Sequence, residues 1–105
     1  MTVDIRLKME RLQVLADSGR TLQQLIDVTK QAQRELYVGF DEVFVMSWVV
    51  LYNDVCYVVE VTEIYNGYHV SVFEEDDERK LRYMDLDAGD LNEFVAKLKE
   101  LIDVR

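Results

Sequence analysis

Covalent catalysis needs a nucleophile, a base within hydrogen-bond reach and a group that orients the base. This sequence has one thiol and one imidazole for such work, Cys56 and His69. The register worked out below sets them at opposite ends of a sheet, His69 beside Ile64 and Met84, so they make a poor dyad. The simpler reading is a small buried thiol and a half-exposed strand histidine. Glu60 is a carboxylate in a Val-rich run, near Ser47, Val58 and Phe73, where a raised pKa is expected of a catalytic acid. It has no evident carboxylate or histidine partner, and pairing with Lys80 or Arg82 across the sheet accounts for it more simply. No catalytic residue is assigned.

The strongest chemical feature is electrostatic. Residues 41–78 hold ten Asp or Glu and no Lys or Arg, and they end in Glu74, Glu75, Asp76, Asp77 and Glu78. Oxygen-rich clusters hold Ca²⁺ or Mg²⁺ when the ligands alternate around a glycine turn, whereas this run is contiguous and is followed by Arg79 and Lys80. No metal and no cofactor is expected. Gly19, Gly39, Gly67 and Gly89 are isolated, so no glycine-rich loop can cradle a phosphate. Leu15 to Lys30 has a superficial helix-turn-helix outline but lacks the basic face that DNA demands.

The net charge of −9 divides into +1 over residues 1–40 and −10 over residues 41–105. A field of that sign repels nucleic acid and anionic membranes and attracts basic proteins. Direct nucleic-acid or membrane binding is therefore not expected. No run reaches the ~18 to 20 apolar residues of a membrane span, and the first residues do not form a basic-then-apolar signal peptide. One cysteine cannot close an internal disulfide, so a reducing, cytoplasmic setting is the expectation.

The 105 residues, half of them hydrophobic, fit one domain with a real core. Ile5, Met9, Leu12 and Leu15 recur at spacings of four and three, which predicts a helix over Thr2–Ala16, stopped by Ser18-Gly19. Thr21 and Gln24 have the form of a capping box. A second helix follows, with Leu22, Leu25, Ile26, Thr29, Ala32 and Leu36 on one stripe, and the short link predicts an antiparallel helical hairpin over 1–39.

From residue 40 to 86 the pattern turns to strands rich in Val, Tyr, Phe and Trp. Turns are expected at Asn53-Asp54, Asn66-Gly67 and Asp76-Asp77, which set Tyr52 against Val55, Tyr65 against Tyr68 and Glu75 against Glu78. Residues 87–105 end the chain as a helix capped by Asp90, with Leu91, Phe94, Val95, Leu98, Leu101 and Ile102 apolar. The expected fold is α+β, ordered ααββββα, with the helical hairpin and the last helix packed on a four-stranded antiparallel meander.

In that register one face collects Phe44, Met46, Trp48, Val50, Tyr57, Val59, Val61, Val70, Val72, Leu81 and Tyr83, and it should carry the helices. The other collects Val45, Ser47, Val49, Leu51, Cys56, Val58, Glu60, Thr62, His69, Ser71, Phe73, Lys80, Arg82 and Met84. Most of the aromatic residues that could stack on bases fall on the first face, so they do not make an RNA platform. On the second face Val45, Val49, Leu51, Val58 and Phe73 form a patch for a homodimer or partner contact, unless a helix of the hairpin covers it.

Three functional classes follow. The first is a non-enzymatic interaction domain in which Glu74, Glu75, Asp76, Asp77 and Glu78, with Asp85, Asp87 and Asp90, engage a basic protein surface. An array of carboxylates can imitate nucleic-acid phosphates, so inhibitors and antidotes belong here: a phage or mobile-element anti-defence protein, or an immunity protein against a nucleic-acid-binding enzyme. The alternative is a homo-oligomeric assembly module whose acids only solubilise it. The third is a small enzyme or ligand-binding protein lined by Trp48, Tyr57 and Glu60, which a sizeable pocket with converging polar groups would favour.

Overall fold

The computed structural model describes residues 5–36, 45–87 and 89–103, with side chains over 6–31, 46–87 and 89–103. Eight elements run in the order β1 (Ile5–Lys8), α1 (Met9–Asp17), α2 (Leu22–Leu36), β2 (Val45–Tyr52), β3 (Val55–Ile64), β4 (Gly67–Glu74), β5 (Asp77–Asp87) and α3 (Leu91–Asp103). The class is α+β as expected, but among the described residues the sheet has five strands in the spatial order β1-β2-β3-β4-β5. Phe44 and the rest of 37–44 lie outside the described residues.

The added strand replaces the first turns of the expected helix. Ile5-Arg6-Leu7-Lys8 alternates apolar and polar, and it pairs parallel with β2, Ile5 opposite Trp48 and Lys8 opposite Leu51. Such a segment fits a strand as well as a helix, and pairing satisfies backbone groups that β2 would otherwise expose along its outer edge. From Met9 onward the helical reading holds, with Met9, Leu12 and Ala16 buried. The chain then turns out of α1 through Gly19 at φ 84°, the Gly19 N–H donating to Ala16 O and the Arg20 N–H to Leu15 O. This is a Schellman closure, which favours a left-handed glycine. The expected pairing of α1 with α2 is replaced by packing of α1 beside α3.

Helix starts follow their sequence signals. The Thr21 N–H donates to Gln24 Oε1 at 2.9 Å and the Gln24 N–H to Thr21 Oγ1 at 3.2 Å, the reciprocal capping box. The Asn92 N–H donates to Asp90 Oδ1 at 2.9 Å at the head of α3. All three helices pack on one face of the sheet, in a single cluster with Met46, Trp48, Val50, Val59, Val61 and Val70 at its floor. No helix covers the opposite face among the described residues; Ser47 and Val49 are nonetheless buried there.

Register explains which expected surface positions moved. Asn53 and Asp54, both at positive φ, make the β2–β3 turn with Tyr52 opposite Val55, as expected. The next turn is Tyr65-Asn66, not Asn66-Gly67, with Ile64 opposite Gly67. That two-residue shift leaves the faces unchanged. Gly67 is needed inside the strand, because a Cβ there would lie 2.1 Å from the Leu86 carbonyl oxygen. The last turn is Glu75-Asp76, with Glu74 opposite Asp77 and a bulge before Val72 meets Arg82. The bulge slips β5 by one place relative to the expected register, which exchanges its faces. Leu81 and Tyr83 therefore stand on the open face, 51% and 67% exposed, while Met84 packs against the core and Arg82 reaches the end of α3.

Candidate functional site

The meander brings the β2–β3 and β4–β5 turns to the same end of the sheet. Asn53-Asp54 and Glu75-Asp76 thus stand side by side there, and the Glu75 N–H donates to the Cys56 carbonyl at 2.9 Å, which ties the tip to β3. The acidic run is an ordered turn, three of whose carboxylates are paired with cations outside it. Glu74 pairs with Lys80 at 3.2 Å, Glu75 with Arg6 at 3.7 Å, and Asp77 accepts from the Arg79 Nε at 3.0 Å and the Arg79 backbone N–H at 3.2 Å. The Arg79 bond holds the Asp77 carboxyl below its usual range. Asp76 and Glu78 are exposed and make no ion pair among the described residues.

The other three acids expected at this site lie elsewhere. β5 carries the chain from Asp77 to Asp87, a path of about 30 Å at ~3.3 Å per residue. Asp85 and Asp87 are therefore at the opposite end of the sheet. Asp90 serves α3 as its cap. Only the run 74–78 forms one surface.

Of the dimer patch, Val49 is buried, Leu51 is exposed, Val58 and Phe73 are half-buried, and the Val45 side chain lies outside those described.

Cys56 and His69 are well separated. Cys56 faces Leu51 near the acidic tip, whereas His69 faces Thr62, six strand residues or about 20 Å away. His69 instead pairs through Nδ1 with Asp85 Oδ1 at 2.6 Å and packs against Tyr83, ring centroids 5.7 Å apart. Reading β5 one place out of register concealed that pair. Glu60 lies between Ser47 and Ser71 on neighbouring strands. The cations expected for it are engaged otherwise: Lys80 with Glu74, and Arg82 with the carbonyls of Leu101 and Ile102 at 2.8 and 3.2 Å.

Beside Leu101–Asp103 of α3, a cavity of about 530 Å³ opens over Tyr57 and Val72, walled by Glu74, Lys80, Arg82 and Asp103. Burial, then the charges of Glu74 and Asp103, push the Tyr57 phenol up. Trp48 and Glu60, expected as pocket lining, are not part of it; Trp48 is wholly buried in the core. A second recess of about 550 Å³ lies across the Asn53-Asp54 turn, with Lys8, Glu10 and Lys99 on its walls. Both recesses mix cations with carboxylates, so neither selects a ligand of one sign.

Among the described residues no three His, Cys, Asp or Glu converge as metal ligands, and no helix is long and apolar enough to cross a membrane. Comparison with known proteins finds no matching family model, no matching curated protein and no matching solved structure.

Proposed function

We propose that this chain is a non-enzymatic interaction domain whose β4–β5 tip engages a basic surface on another protein, as an inhibitor or antidote of a nucleic-acid-binding enzyme. The observation that carries this reading is the tip's construction. Its turn is anchored to β3 by a backbone hydrogen bond, and beside the Asn53-Asp54 turn it presents to solvent Asp76 and Glu78, with the exposed Glu75 held loosely by Arg6 at 3.7 Å. An anchored carboxylate array loses little freedom on binding, which is what a phosphate mimic requires. Asp77 and Glu74 contribute shape more than charge, because Arg79 and Lys80 already neutralise them. A reducing, cytoplasmic setting belongs to the same proposal and rests on the lone Cys56.

The test is capture from a native lysate on immobilised protein at ~150 mM and again at ~500 mM salt, a range over which exposed charge pairing is progressively screened. The proposal expects a basic nucleic-acid enzyme that is retained at low salt, released at high salt and displaced by DNA. Partners held equally at both salts and indifferent to DNA would contradict it.

A further inference from the structure

The free edge of β5 offers a second surface, independent of the acidic tip and outside the patch expected from sequence. Among the described residues β5 is the last strand of the sheet and pairs only with β4. Leu81 and Tyr83 are exposed on its open-face side, which no described residue covers. Such an edge carries unpaired backbone N–H and C=O groups and is a template for another strand.

Charge along this edge is polarised. Past Asp77 and Glu78 at its start, Arg79, Lys80 and Arg82 precede Tyr83, and Asp85 and Asp87 follow it. A parallel copy in register would set like against like, whereas an antiparallel copy about a two-fold axis sets the basic half against the acidic half. Few registers are open to it, because the two sheets keep their faces aligned only if the axis passes through a residue.

Each such register can be checked. Centred on Leu81, Asp77 meets Asp85 and Lys80 meets Arg82. Centred on Arg82, Arg79 meets Asp85 twice, but the Arg82 guanidinium meets its own copy and Asp77 meets Asp87. Centred on Met84, no charged pair forms, and centred on Asp85 the carboxylate meets its own copy. Centred on Tyr83, Arg79 opposes Asp87 twice and no like charges face each other. Opposite charges directly across a strand pair stabilise it and like charges destabilise it.

We propose that β5 pairs antiparallel with β5 of a second copy about a two-fold axis at Tyr83, over Arg79–Asp87, to give a continuous ten-stranded sheet. Tyr83 then meets its mate on the open face, beside the His69 ring against which it already packs. The charged edge and the bulge, which guard an edge against indiscriminate pairing, are compatible with this one register. The bulge takes in Glu78–Leu81, between Asp77 opposite Glu74 and Arg82 opposite Val72, so regular pairing is centred on Arg82–Met84 and the contact with the mate's Asp87 is made by the long Arg79 side chain reaching out of the bulge. The acidic tip at Glu75–Glu78 stays outside the paired stretch, so a dimer would carry two tips free to bind.

Sedimentation velocity over a range of concentrations tests this, using the full chain and circular dichroism to confirm that each variant folds. Wild type should dimerise reversibly. R79D and D87R, both at exposed positions, should each weaken the dimer on the order of tenfold or more, since each change turns two attractive pairs repulsive. An equimolar mixture of the two variants should associate again, and R79D/D87R should recover the wild-type dimer. A wild type that stays monomeric throughout would overturn the proposal. So would a dimer indifferent to both reversals, or one that fails to return in the mixture and in the double swap. Capture of another protein through this edge by a monomeric wild type would overturn it in favour of a hetero-partner.

Discussion

Substitution of Thr29 by Val removes one hydroxyl from the interior and should be felt mainly at Trp48. The indole Nε1–H donates to Thr29 Oγ1 at 2.8 Å, and the hydroxyl in turn donates to the Leu25 carbonyl at 2.9 Å. Thr29 is 2% exposed and Trp48 is fully buried, so no water can take the vacated place. Valine matches threonine in shape, and the Leu25 carbonyl still lies within the α2 ladder, so the loss reduces to an orphaned indole N–H. Leaving a buried donor unsatisfied costs about 1 to 3 kcal/mol. With an m-value of ~2 kcal/mol/M in urea, the denaturation midpoint should fall by about 0.5 to 1.5 M with m unchanged. The reasoning is sharpened by a cycle with Trp48→Phe, which removes the donor itself. In that background Thr29→Val should cost clearly less, leaving a coupling of about 1 kcal/mol or more. Equal costs of Thr29→Val in both backgrounds would refute the account of this bond.

Three further outcomes follow from the geometry. Gly67→Ala should destabilise the sheet by more than the few tenths typical of a surface change, because the new Cβ meets the Leu86 carbonyl at 2.1 Å; an unchanged thermal midpoint would contradict the β4–β5 spacing. Arg82→Ala removes the guanidinium from the Leu101 and Ile102 carbonyls at the end of α3. It should cost about 1 kcal/mol and speed amide exchange in the last turn of that helix, with the first turn unaffected. The Asp77 carboxyl titrates below its ordinary value because Arg79 donates to it. Its contribution is therefore fully present above the ordinary carboxylate pKa and fades as pH falls through the lower folded value. Asp77→Asn should flatten the stability profile in that acid window and leave its neutral side parallel to wild type.

Local signals in the sequence were reliable where one residue type has one geometric use. The Thr21–Gln24 box, the Asp90 cap and the Asn53-Asp54 turn all formed where their chemistry indicates. The core face from Met46 to Val72 followed from alternation alone, because a strand buried on one side has only one register that works. Ile5–Lys8 was illegible for a physical reason: four alternating residues fit a helix or a strand, and the unpaired edge of β2 decides between them. The bulge opposite Val72–Glu74 left no mark either, since no glycine or proline sits in Phe73–Leu81. That single slip moved Leu81 and Tyr83 outward and brought Asp85 to His69. The acidic site was legible as composition, but its division between two ends of β5 depends on strand length and direction, which composition does not contain.

The most direct measurement of the central claim compares wild type with the E75K/D76K/E78K variant in parallel captures from the same lysate at low salt. All three positions are exposed, so the variant should keep its fold and its circular dichroism. The account predicts that the basic, salt-sensitive partner seen with wild type disappears from the variant while other captured material is unchanged. Retention of that partner at undiminished strength would place its contact elsewhere and reduce the tip to a solvated turn.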